Sequence, residues 1–152
     1  VLSVDEAIAE QQMSYPPHTE GVGTVENIEI EATEMSPSVI LNFQENIIDF
    51  RGECYMENAT EFFKPIIEGL AQHLDGLDTT EFTAHFGLTY FNSTSARFFM
   101  RVFDQLEAAA GQGTAVSIFW HFDEEDDAME EQGEEFGEDL KFAKFELKSF
   151  AE

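Results

Sequence analysis

Between Phe82 and Trp120 the hydrophobic period changes twice, and no other stretch of the chain narrows the choice of fold so far. Phe82, Ala84, Phe86, Leu88 and Tyr90 alternate with Thr83, His85, Gly87 and Thr89, the pattern of a strand with one strongly apolar face. The period then lengthens to that of a helix. Phe99, Val102, Phe103, Leu106 and Ala110 form one stripe over about residues 95–110, and Gly111 and Gly113 supply the stop. Ala115-Val116-Ser117-Ile118-Phe119-Trp120 is almost continuously apolar, the expectation for a strand buried on both sides. A strand, a helix and a second strand in that order close a right-handed parallel crossover.

The flanking segments extend this unit into one sheet. Ile28-Glu29-Ile30 alternates in the manner of a strand, and the apolar runs Val39–Phe43 and Ile47–Phe50, joined by Gln44-Glu45-Asn46, have the spacing of a tight hairpin. Asn58 with Glu61 makes an N-cap pair for a helix carrying Ala59, Phe62, Phe63, Ile66, Leu70 and Leu74, interrupted by Pro65. Residues 123–139 hold eleven acids and no base, with Met129, Gly133, Phe136 and Leu140 as a thin helical stripe. Phe142, Phe145, Leu147 and Phe150, interleaved with Lys144 and Lys148, predict a last strand at a sheet edge. The expected order is β-β-α-β-α-β-α-β: an α/β chain with a mixed sheet and helices packed on it.

Residues 1–27 contain no Lys or Arg and include Tyr15-Pro16-Pro17 and Gly21-Val22-Gly23, so they are expected to form a flexible acidic arm. Ser3 and Glu6 match a capping box that predicts a short helix to Met13. Residues 28–152 then constitute one domain, large enough to bury roughly two thirds of its unfolded surface. Sixteen Phe set the character of its core.

Thirty-two Asp and Glu against seven Lys and Arg give a formal charge of −25, which repels nucleic acid and anionic lipid alike. Such acidity serves solubility or a high-salt habitat, and it also suits basic protein partners. Cys54 is the only cysteine, so no intrachain disulfide forms, and no apolar run approaches the ~20 residues of a membrane span. A cytoplasmic location is expected.

The familiar catalytic and cofactor motifs are missing from the sequence. Gly111-Gln112-Gly113 is too short for either glycine-rich phosphate loop, no GxSxG elbow occurs, and His18, His73, His85 and His121 are scattered without HExxH or a Cys/His cluster. An EF-hand reading of the acidic run fails because Ala128 stands where the loop needs glycine. His85 and His121, on neighbouring predicted strands, could approach each other. No metal and no cofactor is therefore expected. Asn92-Ser93-Thr94-Ser95, by contrast, lies where a strand gives way to a helix, so free N–H groups and the helix dipole favour an anion there; simple capping accounts for the same residues. On the following helix Phe98 falls off the core stripe beside Arg97 and Arg101, an outward aromatic suited to partner binding.

Four ordered blocks carry a wider resemblance: Ala32-Thr33-Glu34-Met35-Ser36-Pro37, Gly52-Glu53-Cys54-Tyr55-Met56-Glu57-Asn58-Ala59, Tyr90-Phe91-Asn92-Ser93-Thr94-Ser95 and Trp120-His121-Phe122-Asp123, with Phe43 between the first two. From about Glu31 to Phe150 the chain resembles the SiaC family of bacterial regulatory phosphoproteins, whose fold is similar to the STAS domains of anti-sigma-factor antagonists. The resemblance implies phosphorylation at Ser93, at the position where the family usually has Thr, or at the adjacent Thr94. Asn92, Thr94, Ser95 and Arg97 would surround the phosphate, and Tyr55, Glu57 and Asn58 would join Phe98 and Arg101 in contacting partners. Met56 departs from the family's usual Pro.

The same resemblance implies a partner-switching role in c-di-GMP signalling and biofilm control. The unphosphorylated form would bind and activate a diguanylate cyclase, a protein kinase would disable it, and a PP2C-type phosphatase would restore it. An anti-sigma-factor antagonist is the alternative within that fold, and a small-ligand-binding domain or an enzyme with an unrecognised site is the alternative outside it.

Overall fold

A computed structural model describes residues 25–77 and 80–151. The described residues form one six-stranded mixed sheet with three helices. The strands are β1 Ile28–Ile30, β2 Ser38–Asn42, β3 Ile47–Cys54, β4 Glu81–Phe91, β5 Ala115–Asp123 and β6 Lys144–Phe150, and they lie side by side in sequence order. The first three pair antiparallel, and β3 to β6 pair parallel through the helices α1 Ala59–Asp75, α2 Ser93–Gly111 and α3 Asp127–Gly137. Three strands therefore precede the first helix where the expected order counted two, because Ile28–Ile30 pairs with the hairpin at its outer edge.

Successive crossovers of one hand, stepping always in one direction, put all their helices on one face of the sheet. Ring contacts agree: His73 of α1 meets Phe82, Phe99 and Phe103 of α2 meet Phe86, and Phe136 of α3 meets Trp120. Phe50, Phe86 and Trp120 occupy matching registers on β3, β4 and β5, and their rings stack across the strands at 5.3 and 6.1 Å. This aromatic row is fully buried. It supplies both the apolar area and the ring geometry that favour a unique packing of the helices above it.

Among the described residues, no helix packs on the opposite face. Asp49, Arg51, His85, Phe119, His121, Glu146 and Lys148 line it at the alternate positions, half-buried or exposed. The expectation that β5 is buried on both sides is thus corrected: Phe119 faces the open side. Its ring is covered by His85 at 5.3 Å and by the Lys148 ammonium at 5.0 Å rather than by a further layer. An apolar residue under its neighbours' side chains reads in the sequence like one under a helix.

The packed chain reaches back past Ile28. Val25 is buried, and the Asn27 carboxamide accepts the Phe43 N–H at 2.8 Å, so both belong to the compact domain although they fall within residues 1–27. The helix predicted from Ser3 to Met13 lies outside the described residues. Among the described residues, no helix is long and apolar enough to cross a membrane.

Candidate functional site

The four sequence blocks converge at the C-terminal end of the parallel strands, the end at which open α/β sheets present their binding residues. Thr33 Oγ1 accepts the Met35 and Ser36 N–H groups, which folds the first block into a tight turn. The Met35 carbonyl then accepts the Tyr55 N–H at 2.8 Å, joining the first block to the second. The Cys54 carbonyl accepts the Asn92 N–H at 3.2 Å, joining the second to the third. Phe91 meets Trp120 edge-on at 6.2 Å, which brings in the fourth.

Asn92 is the N-cap of α2. Its backbone is extended, and its Oδ1 accepts the Ser95 N–H at 2.9 Å, the bond that makes Asn a preferred cap. Helix α2 thus begins at Ser93, two residues before the start read from periodicity, because the cap and not the apolar stripe sets its boundary. The three hydroxyls that follow are not equivalent. Ser93 and Thr94 are exposed, whereas Ser95 is fully buried. Ser95 Oγ faces the Cys54 thiol without a hydrogen bond of good geometry. Burial pushes that thiol up to about 11, only partly offset by the Ser95 hydroxyl, so Cys54 stays a neutral core residue. Ser93 and Thr94 are open to solvent, and Ser95 belongs to the packing beneath them.

Ser93, Arg97 and Arg101 follow at i, i+4 and i+8 along one face of α2, and all three are exposed. Phe98 is half-buried, and its placement on the outward face is corrected. Its ring lies flat against Phe63 of α1 at 4.9 Å with the planes 2° apart, because α1 packs alongside α2 and gives that helix a second contact face. The Arg101 guanidinium sits 5.8 Å from the centre of the Phe98 ring. Thr60, Lys64, Ile67, Glu68, Phe98 and Arg101 together line a groove between the two helices of about 120 Å³.

The remaining expected residues sit at the same end of the molecule. Tyr55 is half-buried with its ring edge-on to Tyr90 at 5.7 Å, Glu57 is exposed, and Asn58 caps α1 by accepting the Glu61 N–H at 3.4 Å. Tyr90 and Lys64 were not singled out from the sequence. Between Gly52 and Glu53 the register against β4 shifts by one, so the alternation of β4 breaks and Tyr90 turns outward, 51% exposed. The one available signal was Tyr90's place beside the Asn-Ser pair. Among the described residues no cluster of three or more His, Cys, Asp or Glu could hold a metal ion.

Fold and site together define a small mixed α/β module that presents accessible hydroxyls at a helix N-terminus. A family model described as SiaC family regulatory phosphoprotein matches residues 30–150, and the chain belongs to that family. An uncharacterised protein of Pseudomonas aeruginosa strain UCBPP-PA14 is 32% identical over 117 residues, covering 76% of this chain and 91% of that relative. Apo-SiaC from Pseudomonas aeruginosa is similar with a TM-score of 0.76 at 29% identity, over 82% of this chain and 99% of that one. A SiaC chain from the same organism, crystallised in complex with the diguanylate cyclase SiaD whose activator it is, matches with a TM-score of 0.77 at 28% identity, over 81% and 99%.

Proposed function

We propose that this protein is a phosphorylation-controlled binding protein whose unphosphorylated form binds and activates a diguanylate cyclase in the cytoplasm. It acts by contact, not by catalysis. Phosphorylation at Ser93, or at its neighbour Thr94, by a protein kinase switches the contact off, and a PP2C-type phosphatase restores it. The observation that supports this reading best is the exposed Ser93 directly after the Asn92 cap, in a member of a regulatory phosphoprotein family. The complex of SiaC with the cyclase SiaD supports the choice of output.

Helix-terminus electrostatics supports a switch that the fold tolerates and the partner does not. A phosphate brings roughly −1.5 to −2 charges to a helix N-terminus, where free N–H groups and the dipole accommodate it. A partner packed over a neutral Ser93 would instead have to desolvate that charge, at a cost of several kcal/mol, on the order of the penalty for burying an ion. Tyr55, Glu57, Asn58, Phe98 and Arg101 surround the switch as the contact surface, with Asn92, Thr94, Ser95 and Arg97 as the phosphate's environment.

The test is a binding titration against a diguanylate cyclase from the same cell, with three forms: unmodified, kinase-treated with the site mapped by mass spectrometry, and Ser93→Ala. Unmodified and Ser93→Ala protein should bind and raise cyclase turnover, and the phosphorylated form should do neither. Tight binding by the phosphorylated form, or phosphate mapped outside Ser93 and Thr94, refutes the reading.

A further inference from the structure

Ion pairs are scarce for so acidic a chain. Among the described residues they are Arg51 with Asp49 and Lys148 with Glu146, both on the open sheet face. Lys64, Arg97, Arg101, Lys141 and Lys144 enter none, although acids outnumber bases more than fourfold. Glu68, one helical turn from Lys64 and on the rim of the same groove, is not within ion-pair distance of it. Three of these five bases, Lys64 on α1 and Arg97 and Arg101 on α2, stand exposed on two adjacent helices, with no ion-pair partner among the described residues.

Lys64 and Arg101 frame a slot that Thr60 and Glu68 also line, and Arg97 stands one turn from Arg101 outside it. The groove of about 120 Å³ has the scale of one aliphatic side chain, with Ile67 and the Phe98 ring as its apolar lining and Lys64 and Arg101 at its sides. Stacking on Phe63 fixes the Phe98 ring, so the slot is preformed. Arg97 and Arg101 are one turn apart, about 6 Å along the axis, which is also the spacing of acids at i and i+4 on a partner helix. An apolar anchor between flanking carboxylates is the complement of this surface, in the helix-in-groove mode.

We propose that the α1–α2 groove is the docking site for an acidic amphipathic helix of the partner, and that phosphate on Ser93 repels this helix by placing negative charge at the head of the Ser93-Arg97-Arg101 row. The proposal rests on the regulatory reading above and adds to it the chemistry of the partner. The switch is then electrostatic in origin: the phosphate and the partner's carboxylates compete for the same cations. Surface charge complementarity of this kind makes affinity depend on salt and on the sign of each rim residue.

The experiment uses a fluorescent amphipathic peptide about four turns long, with a leucine anchor flanked by Glu, beside two controls: Lys in place of Glu, and Ala in place of the anchor. Anisotropy should show binding of the Glu-flanked peptide alone, weakened by salt. The Lys64→Glu/Arg101→Glu protein and the Ser93-phosphorylated protein should each bind it roughly tenfold more weakly or worse. Both substituted side chains are exposed, and an unchanged melting curve confirms that the variant folds. Failure of the Glu-flanked peptide to bind, or equal binding of its Lys counterpart, overturns the proposal. The cyclase titration separates the two readings: a cyclase that binds the charge-reversed variant as tightly as the parent, yet releases the phosphorylated protein, removes this surface and leaves the regulatory switch standing.

Discussion

Nδ1 of His85 and Nε2 of His121 stand 3.0 Å apart, bridging β4 and β5 on the open face of the sheet. One ring must donate and the other accept, so the contact requires at least one neutral imidazole. Burial holds both rings below the usual histidine value of 6.5; for His85, Asp49 opposes this while Arg51 and Lys148 reinforce it, and for His121, Arg51 and the paired ring add to it. A histidine depressed in the folded state gives up its proton on folding, so its contribution to stability is complete above about pH 6.5 and is lost as pH falls toward the folded value. His121→Gln should therefore flatten the fall in melting temperature between neutral and mildly acidic pH. An unchanged slope would show that the pair does not carry it.

The Glu107 carboxylate gives a second, separable pH dependence. It accepts the backbone N–H groups of Lys141, Phe142 and Ala143 at 2.7 to 3.2 Å, tying the end of α2 to the entry of β6. Partial burial works against ionisation, but the three donors and the Lys141 charge outweigh it and bring Glu107 below 4.5. A depressed carboxylate stabilises above its unfolded value, so this contribution is lost as pH falls through the range below 4.5. Because the group is largely solvated, Glu107→Ala should cost only about 1 kcal/mol in urea unfolding. Amide exchange at 141–143 should accelerate selectively; protection equal to the parent's would show that the clamp is not needed.

Gly133, like Gly137, lets α3 lie close against the sheet. A Cβ there would collide with Trp120 Cδ1 and stand 2.7 Å from Leu147 Cδ2, while Trp120 Nε1 donates to the Met129 carbonyl one turn earlier on α3. Alanine must push the helix off the indole or rotate a fully buried ring. Overpacking of this kind typically costs about 1–3 kcal/mol, well above the gain in helix propensity of roughly 1 kcal/mol. Gly133→Ala should lower the denaturation midpoint and alter the emission of the single tryptophan. Stability equal to or above the parent's would mean that α3 slides freely.

Much of this architecture was legible because local pattern and tertiary environment coincide in it. Phe82 to Leu88 alternates and is buried on its apolar side, and Phe99, Val102, Phe103 and Leu106 form the buried stripe of α2. The readings that changed are those where a third body intervenes. A helical wheel measures the angle of Phe98 from the stripe that meets the sheet, but it carries no information about α1, which supplies a ring at 4.9 Å on the flank. Phe119 looked like a core residue because side chains from β4 and β6, remote in sequence, cover it. At the start of α2 the motif located the hydroxyls, while the fold distinguished them: Ser95 is fully buried, near Cys54 on a strand some forty residues away in sequence, and no local spacing encodes that.

The Asn92 cap and the proposed phosphate at Ser93 serve the same helix end, and this coupling can be measured. Asn92 Oδ1 accepts one N–H, that of Ser95, and Ser93 and Thr94 present neighbouring N–H groups to whatever lies before the helix. Asn92→Ala removes the side-chain acceptor and should cost about 1 kcal/mol, within the usual range for a lost cap. A phosphate on Ser93 brings oxygen acceptors and negative charge to the same turn, so it should replace part of what the cap provided. The expected outcome of a four-form cycle, the parent and Asn92→Ala each with and without phosphate, is that the substitution destabilises the phosphorylated protein less than the unmodified one. Thermal unfolding of all four forms at one pH and salt gives the coupling directly. Equal losses in both states would mean that the phosphate points away from the helix end, and holding it would then fall to Arg97 alone, one turn further along the row.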